Sequence, residues 1–340
     1  MNKIIVVCGP TATGKSALAV ELAKLAHEEY GAKAEVISAD SRQVYRGLNI
    51  GSAKITTDEM QGIPHHMIDV ADPMDYFSVV DFQTQAKAII NDIHSQGKLP
   101  ILCGGTGLYI DAVIYDTQFP EVTAQPELRA ELEKLSAPEL YEKLQELDPE
   151  RALSIDEHNS VRLVRAIEIA TVLGSVPKLV VNPLLFKGGV AEGRGGIETH
   201  QTQNTETPPA PPLVEGVATN TIWIGLELPK NILRERIEQR IKHRISAQGG
   251  QATLFDEIKG LLDQGVTSEK LYSFGLEYRY GLEYIQEKLT ECEFIEILTN
   301  KTWQFAKRQM MWFKRNPDIK WFDPMLDKQK IMELVQDFLN

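Results

Sequence analysis

The sequence predicts an α/β fold in which a parallel sheet is flanked by helices and carries an α-helical insertion domain. Short apolar runs alternate with longer segments of helical periodicity between residues 3 and 103. This alternation is typical of parallel strands joined by crossover helices. From residue 126 to residue 173 the helical periodicity continues without any strand signal, which predicts the insertion.

The strands of the first half follow from three apolar, β-branched runs: residues 3–8 (KIIVVC), 34–38 (AEVIS) and 99–103 (LPILC). Helical patterns over residues 17–30 and 77–95 separate them. A Gly-rich segment follows the first run at once, so we expect residues 3–8 to form a buried strand and not the apolar region of a signal peptide.

The second half is predicted to be mainly helical. Residues 126–147 and 149–173 are charged and amphipathic, whereas residues 187–220 are rich in Gly, Thr, Gln and Pro and predict a flexible loop. A fourth strand is expected at residues 221–228 (TIWIGLEL), followed by helices to the end. The predicted domains are therefore a core, residues 1–116 with 221–340, and an insertion, residues 117–220.

Composition narrows the protein class. The 340 residues carry a net charge of -12, which argues mildly against nucleic-acid binding. Residues 234–244 and 307–315, however, form two basic patches. No apolar run approaches the roughly 20 residues of a membrane helix, so we expect no membrane association. Three widely spaced cysteines fit neither a disulfide framework nor a metal site and predict free thiols in a reducing cytoplasm.

A phosphate-binding loop follows the first strand. Residues 9–16 (GPTATGKS) match G-x-x-x-x-G-K-[ST] between a strand and a helix, which predicts a P-loop NTPase-like core. Backbone amides and the helix N-terminus attract phosphate, a lysine reaches its oxygens and a hydroxyl can hold Mg²⁺. The predicted phosphate-binding residues are Gly9, Thr11, Ala12, Thr13, Gly14, Lys15 and Ser16, with Ser16 as the metal ligand.

The P-loop alone leaves kinases, NTPases and diphosphate-using transferases open. Three further segments decide between them: residues 38–54 (SADSRQVYRGLNIGSAK), 64–73 (PHHMIDVADP) and 97–109 (GKLPILCGGTGLY). Together with the P-loop they resemble the bacterial tRNA dimethylallyltransferase family, also called tRNA isopentenyltransferases. Residues 148–152, 162–168, 236–240 and 305–309 are similar to later motifs of that family, so the resemblance covers nearly the whole chain except residues 176–220.

The resemblance implies a reaction. A dimethylallyl group passes from its diphosphate to the N6 amine of the adenosine 3′ of the anticodon in tRNA, and diphosphate leaves. The amine is a weak nucleophile that must lose a proton, which suits a carboxylate within hydrogen-bond reach. Asp40 ends the second predicted strand, at the edge where α/β sheets bind ligands, and matches the family's general base.

Further site residues are implied in the same way. Lys15 and Mg²⁺ stabilise the leaving diphosphate, one of Arg236 and Arg240 completes the clamp, and Thr106 lies near the target base. Structural alternatives stay open: a role as cap, loop residue or indirect Mg²⁺ ligand for Asp40, a turn for Thr106 and a solvated helix face for the arginines. The predicted tRNA-binding residues are Asp40, Ser41, Arg42, Gln43, Thr106, Gln125, Arg162, Arg165, Lys307 and Arg308.

The chain also departs from the family pattern. Residues 156–159 (DEHN), 275–278 (GLEY) and 302–303 (TW) differ, and Gln125 stands where an aspartate is common. These segments concern the tRNA more than the diphosphate, so they leave the identity of the acceptor open. The alternatives are a P-loop kinase, a transferase acting on free adenine nucleotides, and a P-loop RNA-binding protein without catalysis. We expect a monomer that binds dimethylallyl diphosphate and the anticodon stem-loop of tRNA.

Overall fold

The computed structural model of the chain describes residues 3–31, 33–177, 220–247 and 252–340. The loop predicted over residues 187–220 lies outside the described residues, apart from Asn220. Contacts between Cα atoms divide the chain into a core unit, Met1–Ile114 with Gly216–Asn340, and an insertion unit, Tyr115–Glu215. The domain boundaries expected from the sequence were residues 117 and 220.

The core unit is built on a parallel sheet whose described strands have the order β3-β2-β4-β1-β5-β6. The strands are β1 (Lys3–Cys8), β2 (Ala34–Ser38), β3 (His65–His66), β4 (Leu99–Gly104), β5 (Asn220–Leu226) and β6 (Ile319–Phe322). The helices of this unit are α1 (Lys15–Tyr30), α2 (Thr57–Met60), α3 (Val79–Ser95), α4 (Gly107–Ile114), α9 (Lys230–Ile245), α10 (Leu254–Asp263), α11 (Ser268–Ser273), α12 (Leu276–Ile285), α13 (Glu291–Phe313) and α14 (Lys328–Leu339).

Strand β1 lies at the centre of the sheet. All six of its residues are buried, and Ile5 pairs with Ile101 of β4 on one side and with Ile222 of β5 on the other. A strand covered on both faces needs a nearly continuous apolar sequence, which is the pattern of residues 3–8. The strands predicted at residues 3–8, 34–38 and 99–103 are confirmed, and the fourth begins at Asn220 and ends at Leu226.

Two strands were not predicted. β3 has two residues, and β6 has four, so neither is long enough to show a clear alternation. β6 pairs with β5 through Trp223 and Ile319, and the expectation of helices alone after residue 228 is therefore wrong. Both strands lie at the ends of the sheet, where a strand forms a single ladder and needs less apolar sequence.

The insertion unit is helical in its described part, as predicted. Its helices are α5 (Pro126–Leu132), α6 (Ala137–Leu147), α7 (Pro149–Ser154) and α8 (Ser160–Leu173). Leu140 and Leu144 of α6 pack with Leu163 and Ile167 of α8, and all four are fully buried. Each of the two predicted helical segments is divided, because Ser136 and Asn159 cap new helices within them.

The parallel topology of the core unit places three loops at one edge of the sheet. These loops follow the carboxyl ends of β1, β2 and β4, the strand ends near which open α/β sheets bind ligands. They contain residues 9–14, 39–41 and 105–106. In the described part of the chain, no helix is long and apolar enough to cross a membrane.

Candidate active site at the carboxyl edge of the sheet

The loop after β1 has the backbone of an anion-binding loop. Gly9 has φ +133°, and a Cβ atom there would lie 2.4 Å from the carbonyl oxygen of Leu226 on β5. Ala12 has φ 65°, an unusual value for a residue other than glycine, and Gly14 has φ 93° just before α1 begins. Such strained positions cluster at functional sites, and these curl the loop at the N-terminus of α1.

Lys15 is a partly buried cation within this loop. Its Nζ donates to the carbonyl oxygen of Pro10 at 2.7 Å, and the buried Thr13 hydroxyl donates to the same oxygen at 2.9 Å. Burial lowers the pKa of Lys15 to about 8, and the charge of Arg240 acts in the same direction. An anion in the loop would stabilise the charged form of the lysine and raise this pKa. Ser16 is exposed at the start of α1.

Arg240 is the arginine that the structure brings to the P-loop. It lies on α9, and its Nη1 donates to Thr11 Oγ1 at 3.2 Å. Burial, followed by the charge of Arg244, lowers the pKa of Arg240 to about 10, so it stays charged at neutral pH. Arg236, one helical turn earlier, instead directs Nη2 to Met325 Sδ at 3.2 Å.

Asp40 follows β2 and closes a turn with one carboxylate oxygen. Its Oδ1 accepts the N–H groups of Arg42 at 2.8 Å and Gln43 at 3.4 Å. Among the described residues, no hydrogen bond is found to the other oxygen, Oδ2. The capping role left open by the sequence is therefore present, and it leaves one oxygen for a ligand.

Thr106 joins the loop after β4 to the loop that contains Asp40. Its N–H donates to the carbonyl oxygen of Ala39 at 3.1 Å, and its hydroxyl accepts the N–H of Ser41 at 3.1 Å. Gln43 is also held internally, since its Oε1 accepts the hydroxyl of Ser38 at 2.9 Å and its Nε2 donates to the carbonyl oxygen of Ala53 at 3.2 Å. RNA contact by these residues stays a prediction.

Gln309 of α13 is a site residue to which the sequence analysis assigned no role. Its Oε1 accepts the N–H of Thr11 at 2.9 Å, and its Nε2 donates to the carbonyl oxygen of Gly105 at 2.8 Å. Lys307 and Arg308 precede it and are exposed, with their cations over the rings of Trp303 and Phe305. Of this basic patch, the structure thus brings Gln309 to the P-loop.

Glu257 is a second residue that sequence reasoning missed. Its carboxylate accepts the backbone N–H groups of Asn49, Ile50 and Gly51 and the hydroxyl of Tyr278. Tyr278 belongs to the segment at residues 275–278 that departs from the family pattern. That departure therefore supplies a donor that helps Glu257 hold the loop after Asp40.

Arg162 and Arg165, the two arginines of the insertion unit that were predicted to bind RNA, differ in their contacts within the protein. Arg165 donates to Glu168 and to the carbonyl oxygen of Val122, and Glu168, which is fully buried, also accepts two hydrogen bonds from Arg129 and one from the N–H of Gln125. Burial raises the pKa of Glu168, but these hydrogen bonds outweigh it and lower the pKa to about 2.

Arg162 lies on the same helix as Arg165, but it is exposed, whereas Arg165 is half-buried. Both arginines line a cavity of about 230 Å³ together with Arg151 and Asp156. The Nε atom of Arg151 is buried without a hydrogen-bond partner. This cavity lies wholly within the insertion unit and is a candidate site for a phosphate.

Metal ligands are scarce in the described residues, which contain no group of three or more His, Cys, Asp or Glu side chains arranged to hold a metal ion. Mg²⁺ commonly takes one or two protein ligands and completes its shell with water and substrate phosphate oxygens. The exposed Ser16 hydroxyl at the end of the P-loop fits that donor set.

Comparison with known proteins gives consistent matches along the chain. The profile of the family described as "IPP transferase" matches residues 43–316. The tRNA dimethylallyltransferase of Halalkalibacterium halodurans is 36% identical over 341 residues, which cover 98% of this chain and 95% of that protein. The enzyme of the same name from Anoxybacillus flavithermus is 37% identical, with 95% and 90% covered.

Solved structures similar to this chain carry the same kind of name as these relatives. The tRNA isopentenylpyrophosphate transferase of Bacillus halodurans has a TM-score of 0.64 at 33% identity, with 100% of this chain and 97% of that chain covered. A eukaryotic dimethylallyltransferase acting on tRNA has a TM-score of 0.70 at 24% identity, with 99% and 79% covered, and supports the fold.

Proposed function

This chain belongs to the IPP transferase family, and from that premise we propose that it transfers a dimethylallyl group from dimethylallyl diphosphate to the N6 amine of the adenosine 3′ of the anticodon in tRNA. The product is N6-isopentenyladenosine, and diphosphate is released. The observation that carries this proposal is the meeting of the P-loop, Asp40 and Thr106 at one edge of the sheet.

In the proposed reaction, the lone pair of N6 attacks C1 of the dimethylallyl group. The C1–O bond breaks, and its electron pair passes to the diphosphate oxygen. The amine loses one proton to Asp40 Oδ2, the oxygen that the turn leaves free. Because Oδ1 is held by two backbone N–H groups, the orientation of the carboxylate is set before the acceptor binds.

Negative charge develops on the diphosphate as the bond breaks. With diphosphate bound in the loop, the P-loop amides other than that of Thr11 would face this charge together with Lys15 and Arg240, and the partial burial of these groups would strengthen the interaction. Mg²⁺, held by Ser16 and phosphate oxygens, would neutralise further charge. Lys15 and Arg240 are therefore assigned to leaving-group stabilisation.

Recognition of the tRNA is assigned to residues near the base and to exposed cations. Ser41, Arg42 and Thr106 would contact the target nucleotide, which has to leave its stack to be modified. In the insertion unit, exposed Arg162 and the cavity beside it would take a backbone phosphate. Arg165, Gln125 and Gln43 have structural partners in addition to any RNA contact, and monomeric state and cytoplasmic location stay predictions.

The test uses Mg²⁺, labelled dimethylallyl diphosphate and unmodified tRNA with an adenine beside the anticodon, with AMP or ATP as acceptor in parallel arms. We expect label in tRNA alone. Label in AMP alone would assign the chain to free-nucleotide transfer, and absence of label with ATP hydrolysis would assign it to the kinase class.

The variant Asp40→Asn sharpens this test because its Oδ1 can still accept the two N–H groups of the turn. We expect the transfer rate to fall by about 10²- to 10⁴-fold, with diphosphate affinity retained in calorimetry. Asp92→Asn, an exposed position on α3, is the matched control. Loss of diphosphate binding in Asp40→Asn, or a normal transfer rate, would rule out Asp40 as the base.

A further inference from the structure

Gln309 connects the two loops that hold the two substrates. Its carboxamide accepts the N–H of Thr11 in the P-loop and donates to the carbonyl oxygen of Gly105 in the loop after β4. The side chain comes from α13, 298 residues along the chain from Thr11, and 8% of the residue is exposed. It is thus a buried bridge that belongs to neither loop.

The chemistry of the two partners fixes the orientation of the amide. A backbone N–H can only donate and a carbonyl oxygen can only accept, and a carboxamide satisfies both at once because its acceptor and its donor are separate atoms. The bridge also needs glycine at position 105, because a Cβ atom there would lie 2.5 Å from Gln309 Nε2 and would displace the carboxamide. The bridge therefore depends on both residue types.

Each end of the bridge continues into the site. Thr11 also accepts a hydrogen bond from Arg240 through its hydroxyl. Gly105 precedes Thr106, which is bonded to the backbone of Ala39 and Ser41 on both sides of Asp40. An unbroken path therefore runs from the diphosphate-binding loop through Gln309 to the loop of the general base.

We propose that Gln309 is a positioning residue that sets the separation between the P-loop and the Gly105–Thr106 loop, and with it the distance between C1 of the donor and the acceptor amine. This inference rests on the proposed function, since it requires one substrate on each loop. Transfer needs the reacting atoms within about 3–3.5 Å, and a misplacement of about 1 Å can cost roughly 10²-fold in rate.

Helix α13 does not depend on this bridge for its own packing. Phe294, Leu298, Ala306 and Phe313 of the same helix are each no more than 2% exposed. Substitution of Gln309 should therefore release the loops and leave the helix in place. A positioning role and a purely structural role consequently differ in what they predict for the transfer step.

The first test compares Gln309→Met, which keeps the length of the side chain and removes both hydrogen bonds, with Gln304→Met at an exposed position of α13. In single-turnover reactions we expect the transfer rate of Gln309→Met to fall roughly 10- to 100-fold. KM for either substrate should change less than about threefold, and the melting temperature by no more than about 4 °C. Gln304→Met should match the wild type.

A second variant tests the bridge from its other end. Gly105→Ala places a methyl group against Gln309 Nε2 without changing α13. If both substitutions act by breaking one bridge, the double variant will be no slower than the slower single variant. Multiplying rate losses would show two independent effects and overturn the proposal.

Gln309→Glu gives a further readout. The introduced carboxylate still accepts from Thr11 but cannot donate to Gly105 until it is protonated, so its rate relative to wild type should rise as the pH falls. An unchanged rate in a folded Gln309→Met variant, or a loss confined to diphosphate affinity, would also overturn the proposal. Wild-type transfer of label to tRNA tests the proposed function separately, before any variant is compared.

Discussion

The P-loop of the core unit and the surroundings of Glu168 in the insertion unit use buried charge in opposite ways. In the core unit, Lys15 and Arg240 lie beside the P-loop, and among the described residues neither forms an ion pair with a carboxylate, so burial lowers both pKa values. In the insertion unit, Glu168 is saturated by two arginines and a backbone N–H. Charge left uncompensated by the fold marks the ligand site, whereas compensated charge holds the framework together.

Removing the compensated charge should have the largest effect of any change considered. Glu168→Gln removes the fully buried negative charge that Arg129 and Arg165 face, and should lower the free energy of unfolding by about 3 to 5 kcal/mol at pH 7. Denaturant unfolding of the full chain measures this. Glu142→Gln, at an exposed position of α6, is the control and should change stability by less than about 0.5 kcal/mol.

Comparison of the wild type with Glu168→Gln also predicts how the free energy of unfolding depends on pH. The pKa of Glu168 is about 2 when folded, below the usual value of 4.5, so its contribution is present above pH 4.5 and is lost as the pH falls towards 2. The difference between wild type and Glu168→Gln should therefore shrink over that interval. A difference that is constant across this interval would mean that the charge of Glu168 does not contribute.

The uncompensated cations should act on binding and leave stability almost unchanged. Arg240→Gln should weaken binding of dimethylallyl diphosphate about 10- to 100-fold, which corresponds to about 1.5–3 kcal/mol for hydrogen bonds to a charged group. Arg236→Gln, which loses its contact with Met325, should change the dissociation constant less than about threefold. Equal losses in calorimetry would place both arginines on the diphosphate.

The pKa of Lys15 predicts that affinity for diphosphate falls by about tenfold per pH unit above about pH 8. With a pKa of about 8 in the free protein, the lysine is charged below that pH and neutral above it. Affinity for diphosphate should therefore be highest near pH 7, fall as the pH rises through 8, and approach a tenfold loss per pH unit above that. Lys15→Arg, whose side chain stays charged, should bind with affinity that is flat over the same range.

The same contrast explains how far sequence reasoning reaches. β1, β2 and β4 and the residues that follow them were predictable, because an apolar run and the loop after it are contiguous in the chain. The pairing of Gln309 with Thr11 was not, since 298 residues separate them and no periodicity links them. The spacing of Arg162 and Arg165 predicted a shared helix, but it could not show that Glu168 already binds Arg165.

The smallest predicted effects separate those two arginines. Arg162 is exposed, so Arg162→Gln should leave stability unchanged, weaken tRNA binding a few-fold and reduce the dependence of log affinity on log salt by about 0.7–0.9 if one phosphate contact is lost. Arg165→Gln should instead lower stability, because Glu168 and the carbonyl oxygen of Val122 lose a donor. Binding titrations at several salt concentrations, with unfolding measured in parallel, distinguish the two.

If Arg165→Gln altered the salt dependence as much as Arg162→Gln, then a side chain already paired within the fold would also contact phosphate. The rule that compensated charge belongs to the framework would then fail in the insertion unit, where the cavity beside both arginines offers the place for such a double role.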